Sequence, residues 1–434
     1  MGSASTDRLP GARTGGEQGG NPEETEVRHA WAGWISRAGI LTLIGIPPVG
    51  TPAMPGGRDG KLDSLGQEIT KIVRENFFDP KAGEAWAAAH DHYGAGAAGR
   101  DDFDRKTRDA LAELRVSHTG YYTPADPRYF GLLSIFREAL GVRSVQVESI
   151  GADFTEDGFT RVVFPGGPAE KAGLRRGDRI LKAADGPFEP ILSFKGRAGR
   201  AVVLSVERSA GAPPVKIRVT PRKIDPGEEW LEAQEQGSRL IESGGATVAY
   251  VPLFSCAGER YMEALQQAVG GKLQDAGALV VDFRDGWGGC NPEFVDMFNN
   301  AVPALSSIGR DGKVQRFDSQ WRGAVYILIN GGTRSGKEVV SYALQKHRRA
   351  VLVGTRSAGA VMGGKCFLLS DRSLLYLAVA DYRVDGERLE GVGVAPDVEV
   401  EDALRYANGA DPQRDETLKL AASSVPAKRQ EAGR

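Results

Sequence analysis

A serine hydroxyl attacks an acyl carbon when it is exposed, has a base beside it and faces donors for the charge that develops. Ser335 lies where such an arrangement can form, in residues 324–347, AVYILINGGTRSGKEVVSYALQKH. The run VYILIN at 325–330 is continuously apolar, as in a strand buried on both faces. Gly331 and Gly332 break it, and Val339, Val340, Ala343 and Leu344 then recur at helical spacing. Ser335 thus falls at a strand-to-helix turn, where free N–H groups and the positive end of the helix dipole can stabilise an oxyanion. The same residue would also serve as a helix cap, with Glu338 three positions on completing a capping box. Taken alone, the turn does not decide between the two.

Few other residues suggest chemistry by themselves. Ser117 and His118 sit where a helical pattern gives way to the extended segment VSHTGYYTP, a place from which side chains reach a cleft. A lone histidine there is more often structural than catalytic. The histidines form no HExxH pattern, and His90 and His92, two apart among alanines, read as a solvated helix face. Cys256, Cys290 and Cys366 are widely spaced without a CxxC pair, which points to neither a disulfide framework nor a zinc site. The reading therefore calls for no cofactor and no metal.

The elements that must position these residues follow from the whole chain. Its 434 residues suffice for two or three domains with real cores. Lys plus Arg number 55 against 57 for Asp plus Glu, so no strong field favours nucleic acid or anionic lipid. Residues 1–58 read as a disordered tail that contains an apolar run at 38–46 behind Arg28 and Arg37. That run is too short to span a bilayer but has the layout of a signal or anchor segment, so the expectation is export to the periplasm or cell envelope, with a cytoplasmic location as the alternative. Residues 59–130 carry three helical patterns, LGQEITKIVRENF, AGEAWAAAHDHY and DDFDRKTRDALAELR. Residues 224–410 alternate strand and helix, including PEFVDMFNNAV as a helix, at the spacing of right-handed βαβ units. Ligands of such a sheet sit at the carboxyl ends of its strands, where DGWGG and GGTRSG both lie. Residues 411–434 read as a flexible polar tail.

Residues 131–223 form a self-contained β-rich block around PGGPAEKAGLRRGDRILKAADG. This resembles a PDZ domain, whose signature PxxPAxxAGLxxGDxI is matched at Ala169, Ala172, Gly173, Leu174, Gly177, Asp178 and Ile180. Such domains add an extended peptide to a sheet edge, usually at its free C-terminus. The resemblance implies a carboxylate-binding loop over Ser149, Ile150, Gly151 and Ala152. The alternative is a packing module with its groove filled from within.

A PDZ-like block followed by an α/β core resembles the tail-specific, or C-terminal processing, serine peptidases and their tricorn-core relatives, over roughly residues 60–410. The motifs that carry it are the PDZ run, VVDFRDGWGG, INGGTRSGKE with AVLVGTRSAG, and LEGVGVAPDVEV. The resemblance implies an α/β peptidase core with a ClpP/crotonase-like mixed sheet, an N-terminal helical subdomain and an inserted PDZ-like domain. It makes Ser335 the nucleophile, with the amides of Gly288 and Gly336 as the oxyanion hole. The family's Arg-x-Asn-x-Gly-Gly loop stands here at 284–289, with Gly286 in place of Asn. The lysine base usual in the family is absent, because Ala360 holds its position in TRSAGAVMGG. The tricorn-like branch instead uses a Ser-His pair and a glutamate, which correspond to Ser117, His118 and Glu390. His118 would take the Ser335 proton, and Glu390 would orient it through the Ser117 hydroxyl or through a water.

Lys337 and Lys365 remain as displaced bases, Lys337 facing elsewhere on its helix and Lys365 lying five positions late. The expected function is a serine endopeptidase acting on protein or peptide substrates, with no nucleic-acid or metal partner and a homo-oligomer left open. The alternative is a non-catalytic binder, since the same core resembles interphotoreceptor retinoid-binding modules that hold apolar ligands.

Overall fold

The computed structural model of the chain describes residues 58–426 except 300, 302 and 319, so the leader suggested at 38–46 lies outside it. Three helices open this part: α1 (Arg58–Asn76), α2 (Pro80–Ala89) and α3 (Arg100–Ala112). Asp79 caps α2 by accepting from the amides of Lys81 and Ala82, and Pro80 supplies the φ of the first turn. After α3 come strand β1 (Gly120–Tyr122) and helix α4 (Pro127–Ile135).

The β-rich insert follows. It comprises β2 (Val147–Ser149), β3 (Ala152–Phe154), β4 (Thr160–Val163), the single-turn α5 (Pro168–Lys171), β5 (Arg179–Ala183), β6 (Gly186–Pro187), β7 (Val202–Glu207), β8 (Val215–Val219) and β9 (Arg222–Ile224). Its sheet runs β6-β5-β7-β8, with β3-β4 and β2-β9 as separate pairs. The insert has its own core, in which the motif residues Ala169, Leu174 and Ile180 pack with Leu204, Val206 and Phe194. Gly177, at φ 84°, lies where a Cβ would be 2.3 Å from the Ala407 amide nitrogen, so only glycine fits. The segment after the main sheet is strapped there, with the amide of Tyr406 donating to Gly177 O and Arg175 to Asn408.

The main sheet is built from β10 (Arg239–Ser243), β11 (Ala246–Pro252), β12 (Ala278–Asp282), β15 (Ala324–Ile329), β16 (Val351–Gly354) and β19 (Val398–Glu399), in the order β10-β11-β12-β15-β16-β19. All neighbours are parallel except the edge pair β10-β11. Helices α6 (Pro226–Gly237), α7 (Glu259–Gly270) and α8 (Gly336–Lys346) complete the core around it. Every residue of β12 and all but the first of β15 are buried, each large apolar side chain contributing about 1.5–3 kcal/mol. A second sheet, β1-β18-β17, pairs β17 (Gly363–Leu368) and β18 (Leu374–Ala380) with β1, and the opening helices pack on it through Ile69, Val73, Phe103, Leu375 and Leu377.

Two expectations change. PEFVDMFNNAV is a 3₁₀ segment over Pro292–Phe298 rather than an α-helix: Asn291 caps it, and its tighter path buries Phe294, Met297 and Phe298. A hairpin of β13 (Leu305–Ile308) and β14 (Val314–Phe317) follows it. Residues from 411, read as a flexible tail, instead begin helix α9 (Pro412–Ser423). Asp411 caps that helix and receives both terminal nitrogens of the buried Arg284 at 2.7 Å, which holds its carboxyl well below the usual range and fixes the segment to the sheet.

Candidate active site

The strand order sets the site. Loops leaving the carboxyl ends of β11, β12, β15 and β16 lie side by side, and they carry residues 253–257, 283–290, 330–335 and 355–362. β1 pairs with β18 in the second sheet, Gly120 opposite Tyr376, and this brings the preceding Ser117 and His118 to the same place. One cavity of about 430 Å³ is lined by Ser117, His118, Gly288, Ser335 and Ala360 together.

Ser335 has φ 58° and ψ −131°, outside the regions that an L-residue prefers. Its amide donates to Ala360 O at 2.8 Å and to Glu338 Oε2 at 3.1 Å. Glu338 does more than close one helix turn. Its buried carboxylate also accepts from Ser357 Oγ, Gly359 N and Ala360 N, so it ties the 357–360 loop to the start of α8. The turn is thus held from below while its side chain borders the cavity.

Gly288 approaches Ser335 so closely that a Cβ on it would lie 2.5 Å from Ser335 Cβ, and a Cβ on Gly336 would lie 2.5 Å from Cys290 N. Neither the Gly288 nor the Gly336 amide has a hydrogen-bond acceptor among the described residues. Gly286 stands at φ 66° with Phe254 O 2.2 Å from where a Cβ would be, and Trp287 N donates to that carbonyl. An asparagine there would have to displace the Phe254 carbonyl, so glycine is the residue this loop requires.

The imidazole is oriented by a chain of hydrogen bonds. Glu390, buried, accepts the Ser117 amide at Oε1 and the Ser117 hydroxyl at Oε2, each at 2.8 Å. The amides of Val361 and Met362 add two more donors to Oε2. Ser117 Oγ is 2.8 Å from His118 Nδ1. A carboxylate only accepts, so the hydroxyl proton goes to Glu390 and Nδ1–H must donate to Oγ. That tautomer leaves Nε2 as an acceptor. The enclosure of the ring, reinforced by Arg334 and opposed by Glu390, lowers its pKa to about 4. His118 also has a left-handed φ of 56°.

The two lysines do not join this group. Lys365 is exposed on β17 with Nζ over the Phe367 ring, and Lys337 is fully buried with Nζ on the carbonyls of Leu253 and Asp285. Neither lines the cavity. Ser149, Ile150 and Ala152 line a second cavity of about 880 Å³. Tyr122, Arg128, Trp287 and Arg334 border both cavities, so the two are neighbours. Within the insert loop, the amide of Gly151 donates to Ser149 Oγ, which in turn donates to Glu229.

One sequence expectation fails at the site itself: Cys256 and Cys290 form a disulfide, with Cα atoms 4.4 Å apart. They are 34 positions apart without a recognisable motif, and only the adjacency of β11 and β12 brings their loops together. The amide of Cys256 donates to Gly288 O, so the bridge closes the loop beside Ser335.

Residues 247–400 match the profile of peptidase family S41. The chain is 30% identical over 277 residues to a carboxy-terminal-processing protease of Bartonella bacilliformis, covering 59% of this chain and 62% of that protein. It is 25% identical over 350 residues to a tail-specific protease of Haemophilus influenzae, covering 70% of this chain and 47% of that one. The chain thus spans less than two thirds of the length of these relatives. Among solved structures, the tricorn protease superposes with a TM-score of 0.53 at 17% identity, over 85% of this chain and 37% of that one, a likeness of fold.

Proposed function

From a chain whose residues 247–400 form a peptidase family S41 segment, we propose a serine endopeptidase with Ser335 as nucleophile and His118 as its base. The observation that carries this reading is the Glu390–Ser117–His118 chain opening into the cavity that Ser335 borders, with the Gly288 and Gly336 amides beside the serine. Ser335 Oγ adds to the peptide carbonyl as His118 Nε2 takes its proton, and the oxyanion is met by the two amides. Collapse of this intermediate expels the amine, which receives the proton from His118, and leaves an acyl-enzyme. Water, deprotonated by the same nitrogen, then releases the acid. Ser117 is the orienting link, because its hydroxyl has one proton and that proton belongs to Glu390.

The PDZ-like insert engages substrate C-termini at Ser149–Ala152, in a cavity that shares Trp287 and Arg334 with the one that Ser335 borders. The disulfide supports an oxidising compartment, and with it export. Labelling by a serine-reactive fluorophosphonate, located by mass spectrometry, tests the assignment. Modification at Ser335 together with hydrolysis of unfolded protein is the expected result, and a binder of apolar ligands would give neither.

A further inference from the structure

Lys337 is the second residue after Ser335 and is 0% exposed. Its place is unfavourable on two counts, since an ammonium loses its hydration there and sits at the positive end of α8. Neither packing nor helix stability accounts for a lysine at this position; what it touches does. Nζ donates to Leu253 O at 2.5 Å and to Asp285 O at 3.0 Å, and lies 5.9 Å from the centre of the Phe283 ring.

Leu253 directly follows β11, and Asp285 lies three residues beyond β12. The loops that begin there are also joined by two backbone hydrogen bonds, Trp287 N donating to Phe254 O and Cys256 N to Gly288 O, and by the Cys256–Cys290 disulfide. One side chain from the nucleophile's own helix therefore ties the roots of both loops around Gly288. We infer that Lys337 is a positioning residue that sets the Gly288 amide against Ser335 through the carbonyls of Leu253 and Asp285. The inference rests on the peptidase reading of Ser335.

The tie does not depend on charge. Enclosure lowers the pKa of Lys337 to about 7, with the Asp282 and Asp285 carboxylates opposing and Arg334 reinforcing. A neutral amine still has two N–H groups, one for each carbonyl.

The test uses the full chain and three variants, Lys337→Met, Lys337→Leu and Lys337→Arg, with folding checked by circular dichroism. Lys337→Met keeps the unbranched shape of the side chain, one atom shorter, and removes its donors. It is expected to lower kcat by about 10–100-fold with KM within threefold, because a misplaced oxyanion donor weakens only the transition state. Fluorophosphonate labelling should slow in parallel, and Lys337→Arg should recover part of the loss. Wild-type kcat in a folded Lys337→Met, or a rise in KM alone, overturns the inference. If Lys337→Met does not fold, Lys337→Leu, which also lacks donors, takes its place with the same expected loss of kcat, and failure of all three to fold assigns the lysine to stability and overturns the positioning role. A wild-type chain that neither labels nor hydrolyses removes the peptidase reading itself, which is a separate outcome.

Discussion

Ser117 grips both oxygens of Glu390, a residue 273 positions later in the chain, with its amide on one and its hydroxyl on the other. This two-point contact fixes where the hydroxyl proton goes and, through it, which nitrogen of the neighbouring imidazole is left free. Glu390 also fastens the loop at Val361 and Met362, so orientation of the imidazole and closure of the cavity share one carboxylate.

Ser335→Ala and His118→Ala should each reduce hydrolysis of unfolded protein by roughly 10⁴-fold or more, and the double variant should be little worse than either. Near-wild-type turnover by His118→Ala, with loss on Lys365→Ala, would show that the base is a lysine. Ser117→Ala should fall between, since Glu390 then has no link to Nδ1.

The acid limb of kcat/KM should lie unusually low. An ordinary imidazole titrates near 6.5, whereas enclosure brings His118 to about 4. The base works only when neutral, so kcat/KM should hold from neutrality to about pH 5 and fall as the pH passes the folded value. Stability follows the same sign: the contribution of this neutral histidine is present above about pH 6.5 and is lost toward pH 4, as the unfolded chain takes up the proton first. A profile with its acid midpoint at 6.5 or above would refute the enclosed base.

Reduction of Cys256–Cys290 should lower both melting temperature and kcat. A bridge spanning 34 positions constrains the unfolded chain by about 3–4 kcal/mol. Its contact with Gly288 adds an effect on turnover that KM should not share. Thermal melts and kinetics with and without reductant check this, and identical values for the Cys256→Ala/Cys290→Ala protein would remove the role.

Gly286→Asn should cost activity even though asparagine is usual at this place in the family. The φ of 66° and the Phe254 carbonyl 2.2 Å from the new Cβ leave no room, so the loop must shift. A variant as active and as stable as the parent would mean that the loop is not held by Phe254.

A peptide with a free carboxylate should bind the insert groove more tightly than its amide, by tenfold or more in calorimetry on the Ser335→Ala chain. Each charge-assisted bond from a backbone amide contributes about 1.5–3 kcal/mol, and the Gly151 amide is already engaged by Ser149, so the gain stays below that of three free donors. Equal affinity for acid and amide would remove tail recognition and leave the Ser335 assignment standing.

Much of this was legible in local pattern. The change from continuous apolar to helical spacing placed Ser335 between β15 and α8, because period and glycine breaks are properties of neighbouring residues. The run around Gly177 and Asp178 marked the insert for the same reason. What the sequence could not decide were relations between loops whose adjacency depends on strand order. Parallel pairing of β11, β12, β15 and β16 puts four carboxyl ends side by side, and from that arrangement come the Cys256–Cys290 bridge and the tie from Lys337 to Leu253 and Asp285. The polar composition beyond 410 pointed to a tail, yet Arg284, buried just beyond the carboxyl end of the inner strand β12, needed a second carboxylate and Asp411 supplied it. The distances that place the Ser117 hydroxyl between Glu390 and His118 Nδ1 are likewise ones that only the folded chain defines.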